Sequence, residues 1–171
     1  MKLFFGLGNP GKEYENTRHN LGQILIKALA EKQGFSFSRK SKLQAEVGES
    51  SQNIFAFSTE YMNLSGSSVQ KVAAFYKISP KNIYLIHDDL DLPVGEWRLQ
   101  FDRGPAGHNG VKSTIENLGT QAFWRIRVGV GHPENNLPVE DYVLKPFTAD
   151  EKKQISALID TITGEIENLG S

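Results

Sequence analysis

Hydrophobic positions along the chain switch repeatedly between short continuous runs and helical spacing. Lys2–Leu7 is an apolar run that ends in glycines, which predicts a buried first strand. In Leu21–Gln33 the apolar side chains recur every three or four residues, which predicts a helix with Asn20 at its N-cap and Gly34 just beyond its end. Alternation of this kind is typical of an α/β protein.

The same alternation continues to the end of the chain. Thr148 and Glu151 form a capping box, which predicts a last helix from Ala149 to about Asn168. No repeat or linker-like stretch interrupts the series, so we predict a single three-layer α/β domain over residues 1–171. The other predicted strands are Ala45–Gly48, Ile54–Ser58, Ile83–His87, Glu96–Phe101 and Trp124–Val130, and the other predicted helices are Ser67–Tyr76 and Asn109–Leu118.

Composition narrows the class of protein. The 171 residues are 39% apolar and 23% charged, which excludes a disordered chain. Cysteine is absent, which excludes disulfides, zinc–cysteine centres and thiol nucleophiles. The apolar runs are far shorter than the roughly 18 residues of a membrane span, and the N-terminus lacks a secretory signal pattern. We therefore expect a soluble, cytoplasmic protein.

Charge is distributed unevenly, although the net charge is only −1. Residues 1–127 carry 16 Lys and Arg against 12 Asp and Glu, a net charge of +4. Residues 128–171 carry 3 against 8, a net charge of −5. Such asymmetry indicates either one face that binds a polyanion and another that is kept away from it, or an ordinary solvated acidic helix at the C-terminal end.

The loop Gly6–Lys12 matches two phosphate-binding patterns, G-x-G-x-x-G and the start of a P-loop. However, Glu13 stands where a P-loop has Ser or Thr to hold magnesium. Pro10 also removes one of the backbone N–H groups from which a phosphate cradle is made. A nucleotide-binding domain is therefore an alternative interpretation rather than the first one.

Several side chains suited to acid–base chemistry lie next to predicted strands and helices. His19 precedes the first helix, whose dipole is expected to lower the pKa of the imidazole and keep it neutral as a general base. Asp88, Asp89 and Asp91 follow a buried strand, where they could hold a divalent metal or orient a histidine. A metal-dependent phosphoesterase is thus a second alternative. A plain RNA-binding module is a third, although the chain lacks the basic, aromatic-rich surface of such modules.

Five segments closely resemble the bacterial peptidyl-tRNA hydrolase family. They are GLGNPGKEYENTRHN at Gly6–Asn20, YMNLSG at Tyr61–Gly66, HDDLDLPVG at His87–Gly95, GHNGVKS at Gly107–Ser113 and RIRVGVGHP at Arg125–Pro133. The resemblance covers most of residues 1–147 and implies a twisted mixed β-sheet flanked by helices. It also implies a monomer without metal or cofactor. The implied activity is hydrolysis of the ester that joins the C-terminus of a peptide to the 3′-terminal ribose of tRNA, which recycles tRNA from stalled translation.

The resemblance further implies roles for individual residues. His19 is the expected catalytic base and Asp88 its carboxylate partner, as in a triad without a nucleophilic residue. Asn9 is expected beside the ester, where its amide either holds the attacking water or polarises the carbonyl. The residues expected to bind the peptidyl substrate are Tyr14, Met62, Asn63, His108 and Asn109.

Binding of tRNA is the point at which the sequence departs from the family pattern. Family members usually hold a lysine and an arginine that bind the 5′-phosphate of tRNA. Arg127 matches the arginine, whereas Gln100 stands at the position of the lysine. We expect the phosphate contacts to come from Arg127 with Arg98 or Arg103 nearby, and Lys112 adds a further cation.

Overall fold

The computed structural model describes residues 1–171, and its seven strands form one mixed sheet. The strands are β1 (Leu3–Gly6), β2 (Ser38–Lys40), β3 (Ala45–Ser50), β4 (Asn53–Ser58), β5 (Ile83–Asp89), β6 (Trp97–Phe101) and β7 (Trp124–Gly129). Their order across the sheet is β2-β3-β4-β1-β5-β7-β6. The central strands β4, β1, β5 and β7 are parallel, whereas β2 pairs antiparallel with β3, β3 with β4 and β6 with β7.

Helices cover both faces of this sheet. They are α1 (Leu21–Gln33), α2 (Ser65–Phe75), α3 (Asn109–Leu118), α4 (Val139–Val143) and α5 (Ala149–Gly170). Helices α1 and α5 pack on one face, and α2 and α3 on the other. Single 3₁₀ turns at Lys12–Tyr14, Arg18–Asn20, Ser41–Leu43, Met62–Leu64 and Pro80–Asn82 join several of these elements. None of the helices combines the length and the apolar character that crossing a membrane requires.

The central strands are apolar because they are buried on both faces. In β5, Ile83 and Leu85 belong to the core beneath α2 and α3, and Tyr84 and Ile86 belong to the core beneath α1 and α5. The two cores contain 17 and 16 buried residues. The predicted three-layer α/β architecture with a mixed sheet is confirmed.

Close contact between α1 and the sheet positions the residues that precede this helix. A Cβ atom on Gly22 would collide with the backbone of Leu7 and with the carbonyl oxygen of Ile86. Only glycine allows the helix to lie this near the strands. The turn Arg18–Asn20 is thereby placed beside the carboxyl end of β5.

The structure differs from the predicted elements at a few places. Strand β5 extends to Asp89, so that Asp88 and Asp89 lie within the strand and not after it. Strand β2 and helix α4 carry no apolar pattern that predicts them, because β2 is fully exposed and α4 has a single buried residue. Asn20 occupies the N-cap of α1, but its side chain makes no capping hydrogen bond.

Candidate active site

The carboxyl ends of the parallel strands open into a cavity of about 660 Å³. An open α/β sheet binds its ligands at this edge, because the loops that follow neighbouring strands converge there. Eight of the predicted site residues line the cavity, namely Asn9, His19, Met62, Asn63, Asp88, Arg103, His108 and Asn109.

His19 and Asp88 form a hydrogen-bonded pair in this cavity. Nδ1 of His19 lies 2.9 Å from Oδ2 of Asp88. Burial disfavours the imidazolium, but the charge of Asp88 and this hydrogen bond favour it more, so that the pKa of His19 is raised above 6.5. The lowering expected from the α1 dipole is therefore wrong, because a carboxylate in direct contact outweighs the helix end.

Asp88 remains ionised although only 2% of its side chain is exposed. Burial alone would raise the pKa of this carboxyl. The contacts with His19 and His108 instead hold the pKa of Asp88 far below its usual range. The carboxylate therefore acts only as a hydrogen-bond acceptor, with one oxygen for each ring.

His108 supplies the second of these contacts and also caps a helix. Its Nε2 lies 2.7 Å from Oδ1 of Asp88. Its Nδ1 accepts the backbone N–H groups of Gly110 and Val111 at the N-terminus of α3. The ring lines the cavity, as expected of a residue near the substrate, but the chain itself occupies both ring nitrogens. Polar contact with a substrate is thus left to other residues.

Asn9 is held in place from three directions. Its Oδ1 accepts the backbone N–H of Met62 at 2.7 Å. Its own backbone is bound by the amide of Asn20, which accepts from the N–H of Asn9 at 2.8 Å and donates to its carbonyl at 2.9 Å. Because Oδ1 of Asn9 is occupied, the Nδ2 group is the part of this amide available to the cavity.

Asn20 was missed as a functional residue because its sequence position indicates a helix cap. Its side chain instead joins the turn that carries His19 to the loop that carries Asn9. It is buried, with 1% exposed surface. The only signal in the sequence is an asparagine at an N-cap position, which gives no reason to expect a partner 11 residues away.

The predicted substrate-binding residues occupy different positions relative to the cavity. Asn63 and Asn109 are exposed on its wall, and Met62 is buried beneath it. Tyr14 is not among the residues that line the cavity, and its predicted contact with the substrate stays a prediction; its ring packs edge-on against Tyr61, which does line the cavity, with the ring centres 6.4 Å apart. Tyr14 therefore supports the wall from behind.

Arg18 ties the turn that carries His19 to the C-terminal part of the chain. Its Nη2 lies 2.8 Å from Oε1 of Glu151, and its Nη1 donates to the carbonyl oxygen of Tyr142 at 3.0 Å. Its guanidinium carbon also lies 4.1 Å from the centre of the Tyr142 ring, a cation–π contact. Glu151 also pairs with Thr148 at the start of α5, so that the predicted capping box is confirmed. Sequence patterns gave no indication of this link.

Asp89 and Arg127 form a second buried ion pair next to the first. Nε of Arg127 lies 2.8 Å from Oδ2 of Asp89, and 9% and 7% of the two side chains are exposed. Nη1 of Arg127 donates to Oε1 of Gln100 at 2.9 Å. The guanidinium predicted to bind a phosphate is thus already paired with a carboxylate, and the residue at the lysine position of the family holds it there.

The other predicted phosphate contacts lie nearer the surface. Arg98 and Lys112 are exposed, and Arg103 is half-buried at the edge of the cavity. Arg125 is fully buried, and its guanidinium donates to backbone carbonyls, including that of Arg103. Burial lowers the pKa of Arg125 to about 10. This cation therefore supports the loop beneath Arg103 rather than contributing to the surface charge.

A metal centre does not fit the hydrogen bonds of this cluster. Atoms of His19, Asp88 and His108 that could bind a metal lie within 4.8 Å of one another. Because Nδ1 of His108 accepts two N–H groups, its Nε2 carries the ring proton and has no lone pair for a metal. The neighbouring carboxylates Asp89 and Asp91 have separate partners of their own.

The glycine loop does not form a phosphate cradle. Gly6–Lys12 leads into the 3₁₀ turn Lys12–Tyr14 and not directly into an α-helix. The backbone N–H groups of Leu7 and Asn9 already donate within the chain. Two of the N–H groups of a phosphate cradle are therefore occupied and Pro10 has none to offer, which weakens that alternative.

Comparison with known proteins gives consistent matches over most of the chain. The family model described as peptidyl-tRNA hydrolase matches residues 3–171. The chain is 44% identical over 162 residues to a peptidyl-tRNA hydrolase of Desulfitobacterium hafniense, which covers 94% of this chain and 88% of that one. It is 48% identical over 161 residues to that of Geobacillus thermodenitrificans, covering 91% and 85%.

Solved structures give the same result. The peptidyl-tRNA hydrolase of Acinetobacter baumannii superposes with a TM-score of 0.93 at 33% identity, covering 99% of this chain and 88% of that one. Its Arg119Gln mutant also gives a TM-score of 0.93, at 34% identity with the same coverage. From its sequence, its fold and its relatives, the chain belongs to the peptidyl-tRNA hydrolase family.

Proposed function

We propose that this protein hydrolyses the ester of peptidyl-tRNA with water activated by His19. The observation that carries the proposal is the hydrogen bond between Nδ1 of His19 and the buried carboxylate of Asp88. A carboxylate that can only accept requires Nδ1 to carry the ring proton, which leaves the lone pair of Nε2 for catalysis.

In the proposed reaction each of these groups has one task. Nε2 of His19 takes a proton from water as the water oxygen attacks the ester carbonyl carbon. The tetrahedral intermediate collapses and expels the ribose oxygen, which takes that proton back from Nε2. Asp88 stabilises the imidazolium that exists between the two steps, since its negative charge is 2.9 Å away.

Asn9 is proposed to stabilise the oxyanion rather than to hold the water. Its Oδ1 already accepts the N–H of Met62, whereas its Nδ2 has no partner within the chain, so that its N–H groups are the free donors for the reacting atoms. A donor fits the negative oxygen of the intermediate, and positioned donors of this kind contribute the most when their geometry is fixed in advance. The two hydrogen bonds between the side chain of Asn20 and the backbone of Asn9 supply that fixed geometry.

Asn63 and Asn109 are proposed to read the peptide backbone. Both amides are exposed at the wall of the cavity, and an amide can pair with a neutral peptide N–H or C=O. The charged α-amino group of a free aminoacyl ester would lose its hydration there without a compensating carboxylate. Substrates with a blocked amino group are therefore favoured.

The phosphates of tRNA are proposed to contact Arg98, Arg103 and Lys112, with Arg127 as an additional candidate. The first three are accessible, whereas Arg127 would have to serve a phosphate while it remains paired with Asp89. Arginine suits this task because its two N–H edges bind two phosphate oxygens at once.

We also propose that one chain suffices without metal. His19, Asp88, Asn9 and the two asparagines of the wall all come from the same chain, and the tautomer of His108 is unsuited to a metal ligand. An assay of peptide release from N-acetylaminoacyl-tRNA, with no ATP present, tests the whole proposal. We expect equal rates with and without EDTA, and little release from free aminoacyl-tRNA.

Two results of this assay would contradict the proposal. Loss of activity in EDTA that added zinc or magnesium restores would indicate a metal-dependent reaction. Equal rates on blocked and free aminoacyl-tRNA would show that Asn63 and Asn109 do not distinguish the peptide from a free amino group.

A further inference from the structure

The cap of α3 determines which nitrogen of His108 carries its proton. Nδ1 of His108 accepts the N–H of Gly110 at 3.1 Å and that of Val111 at 3.4 Å. A nitrogen that accepts an N–H must present a lone pair, so the proton of the neutral ring is on Nε2. Nε2–H therefore donates to Oδ1 of Asp88, which lies 2.7 Å away.

The carboxylate of Asp88 can accept from two histidine rings at once, because its two oxygens are equivalent acceptors. Oδ1 of Asp88 meets His108, and Oδ2 meets Nδ1 of His19 at 2.9 Å. The side chain of Asp88 is 2% exposed, so that no solvent contact competes with either ring. The backbone amides of α3, the ring of His108, Asp88 and His19 thus form one hydrogen-bonded series.

We propose that His108 is a positioning residue that fixes the orientation of the Asp88 side chain, and thereby the oxygen that faces Nδ1 of His19. The inference rests on the proposed role of His19 as the base, because only the tautomer with a free Nε2 can accept a proton from water. His108 acts through Asp88 and takes no part in bond making or breaking.

An amide at position 88 makes the effect of His108 on the orientation of this side chain measurable, because an amide has one accepting and one donating end. In Asp88→Asn the Nε2–H of His108 needs an acceptor, so the amide has to turn its oxygen toward His108. Its NH₂ group then faces Nδ1 of His19, which has to accept and give up its proton to Nε2. The general base is lost although His19 is still present.

His108→Asn releases the amide from this constraint while keeping the helix cap. The Oδ1 atom of asparagine corresponds to Nδ1 of histidine, and asparagine is among the best N-cap residues. Asparagine has no atom at the place of Nε2. In the double variant, the amide at 88 is therefore free to turn its oxygen to His19 and restore the productive tautomer.

The experiment measures kcat on N-acetylaminoacyl-tRNA and the ¹⁵N chemical shifts of the His19 ring. Asp88→Asn is expected to lower kcat by about 10²-fold or more, but by no more than His19→Ala does, because the productive tautomer of the base is lost, and to move the His19 proton to Nε2. Adding His108→Asn to Asp88→Asn is expected to raise kcat at least about tenfold above the single variant, since the general base is regained, and to return the proton to Nδ1. A second substitution that repairs the first is not expected of two independent defects.

His132→Asn is the matched control, because His132 forms the other histidine–aspartate pair at the cavity, 3.0 Å from Asp91 and exposed. Adding it to Asp88→Asn is expected to change neither readout. The inference is overturned if His19 keeps its proton on Nδ1 in Asp88→Asn, or if the double variant with His108→Asn stays on the Nε2 tautomer.

The NMR measurement does not require turnover, so the two proposals fail separately. Wild-type kcat in His19→Ala would end the assignment of the base. The ring shifts in the Asp88→Asn variants would still decide whether His108 fixes the orientation of the side chain at position 88.

Discussion

Asp88 and Asp89 are consecutive residues of β5, and each is a buried carboxylate with nitrogen partners. Successive side chains of a strand point to opposite faces, so the two meet different neighbours. Asp88 pairs with the rings of His19 and His108, and His19 is the proposed base that takes up and releases a proton. Asp89 pairs with Arg127, which is charged at every ordinary pH.

The difference shows how one strand end supports both chemistry and stability. A pair that includes histidine can gain and lose a proton during a reaction, whereas a pair that includes arginine is permanently charged and fixes the backbone around it. We therefore expect changes near Asp88 to affect turnover first and changes near Asp89 to affect stability first.

The largest expected effect is on turnover. His19→Ala should lower kcat by roughly 10²–10⁴-fold, the usual range for loss of a general base, while tRNA affinity stays near that of the wild type. Single-turnover rates and an equilibrium binding assay separate the two quantities. Turnover like that of the wild type would remove the mechanism.

Arg127→Met tests whether the Asp89–Arg127 pair contributes mainly to stability. It should lower the free energy of unfolding by about 3–5 kcal/mol in urea titration, because it leaves the carboxylate of Asp89 buried without its cation. Adding Asp89→Asn should recover most of this loss. If Arg127→Met unfolds like the wild type but binds tRNA weakly, and binds tRNA lacking the 5′-phosphate normally, then phosphate binding is the main role of Arg127.

Asn20→Ala tests whether Asn20 affects kcat through the loop that carries Asn9, beyond its effect on the free energy of unfolding. Losing two buried hydrogen bonds to Asn9 should cost about 1–3 kcal/mol of stability and lower kcat by about tenfold or more as Asn9 is released. Asn53→Ala is the matched control, since Asn53 is equally buried and bonds the backbone of Lys2 and Gly170 at the other end of the sheet. It should cost similar stability without changing kcat, and a similar fall in kcat would make the effect of Asn20 unspecific.

The smallest expected effect is a gradual change of activity and stability with pH. The pKa of His19 is raised above 6.5, so kcat/KM should be full above that pKa and fall about tenfold per pH unit below it. The same raised pKa means that the protonated His19–Asp88 pair stabilises the fold on the acid side, and this contribution is lost as pH rises through the pKa of His19 in the folded state. Activity and stability should thus change in opposite directions in one pH window.

The pair at Asp89 should behave differently over that window. The pKa of Asp89 is lowered, although burial opposes this, chiefly by its hydrogen bond from Arg127. The contribution of this pair to stability is present above the ordinary aspartate pKa of about 3.9 and is lost only as pH falls through the lowered value.

For His19, an activity profile whose acid limb has its midpoint below pH 6.5 would contradict the raised pKa.

Local patterns predicted those parts of the molecule that local interactions determine. The helix Asn109–Leu118 and the capping box of Thr148 and Glu151 were predicted at the residues where they occur. Both depend on contacts within one or two turns. Strand β2 was missed because its three residues are exposed and polar, and only its pairing with β3 makes it a strand.

The candidate site was predictable in its residue types but not in its connections. His19, Asp88 and Asn9 were identified through the resemblance to a family, and the structure brings them to one cavity. The partners of Asn20 and Arg18 were not predictable, because they lie 11 and 133 positions away. Spacing along a chain contains no information about such pairs.

The distance in sequence between Arg18 and Glu151 has a consequence for the protein during its synthesis. A chain made from its N-terminus exposes the turn of His19 early, but the carboxylate that holds that turn is added 133 residues later. Closing so long a loop is slow compared with forming local helices. A chain whose synthesis stops before Glu151 therefore lacks the anchor of the turn that carries His19, however much of the sheet it contains.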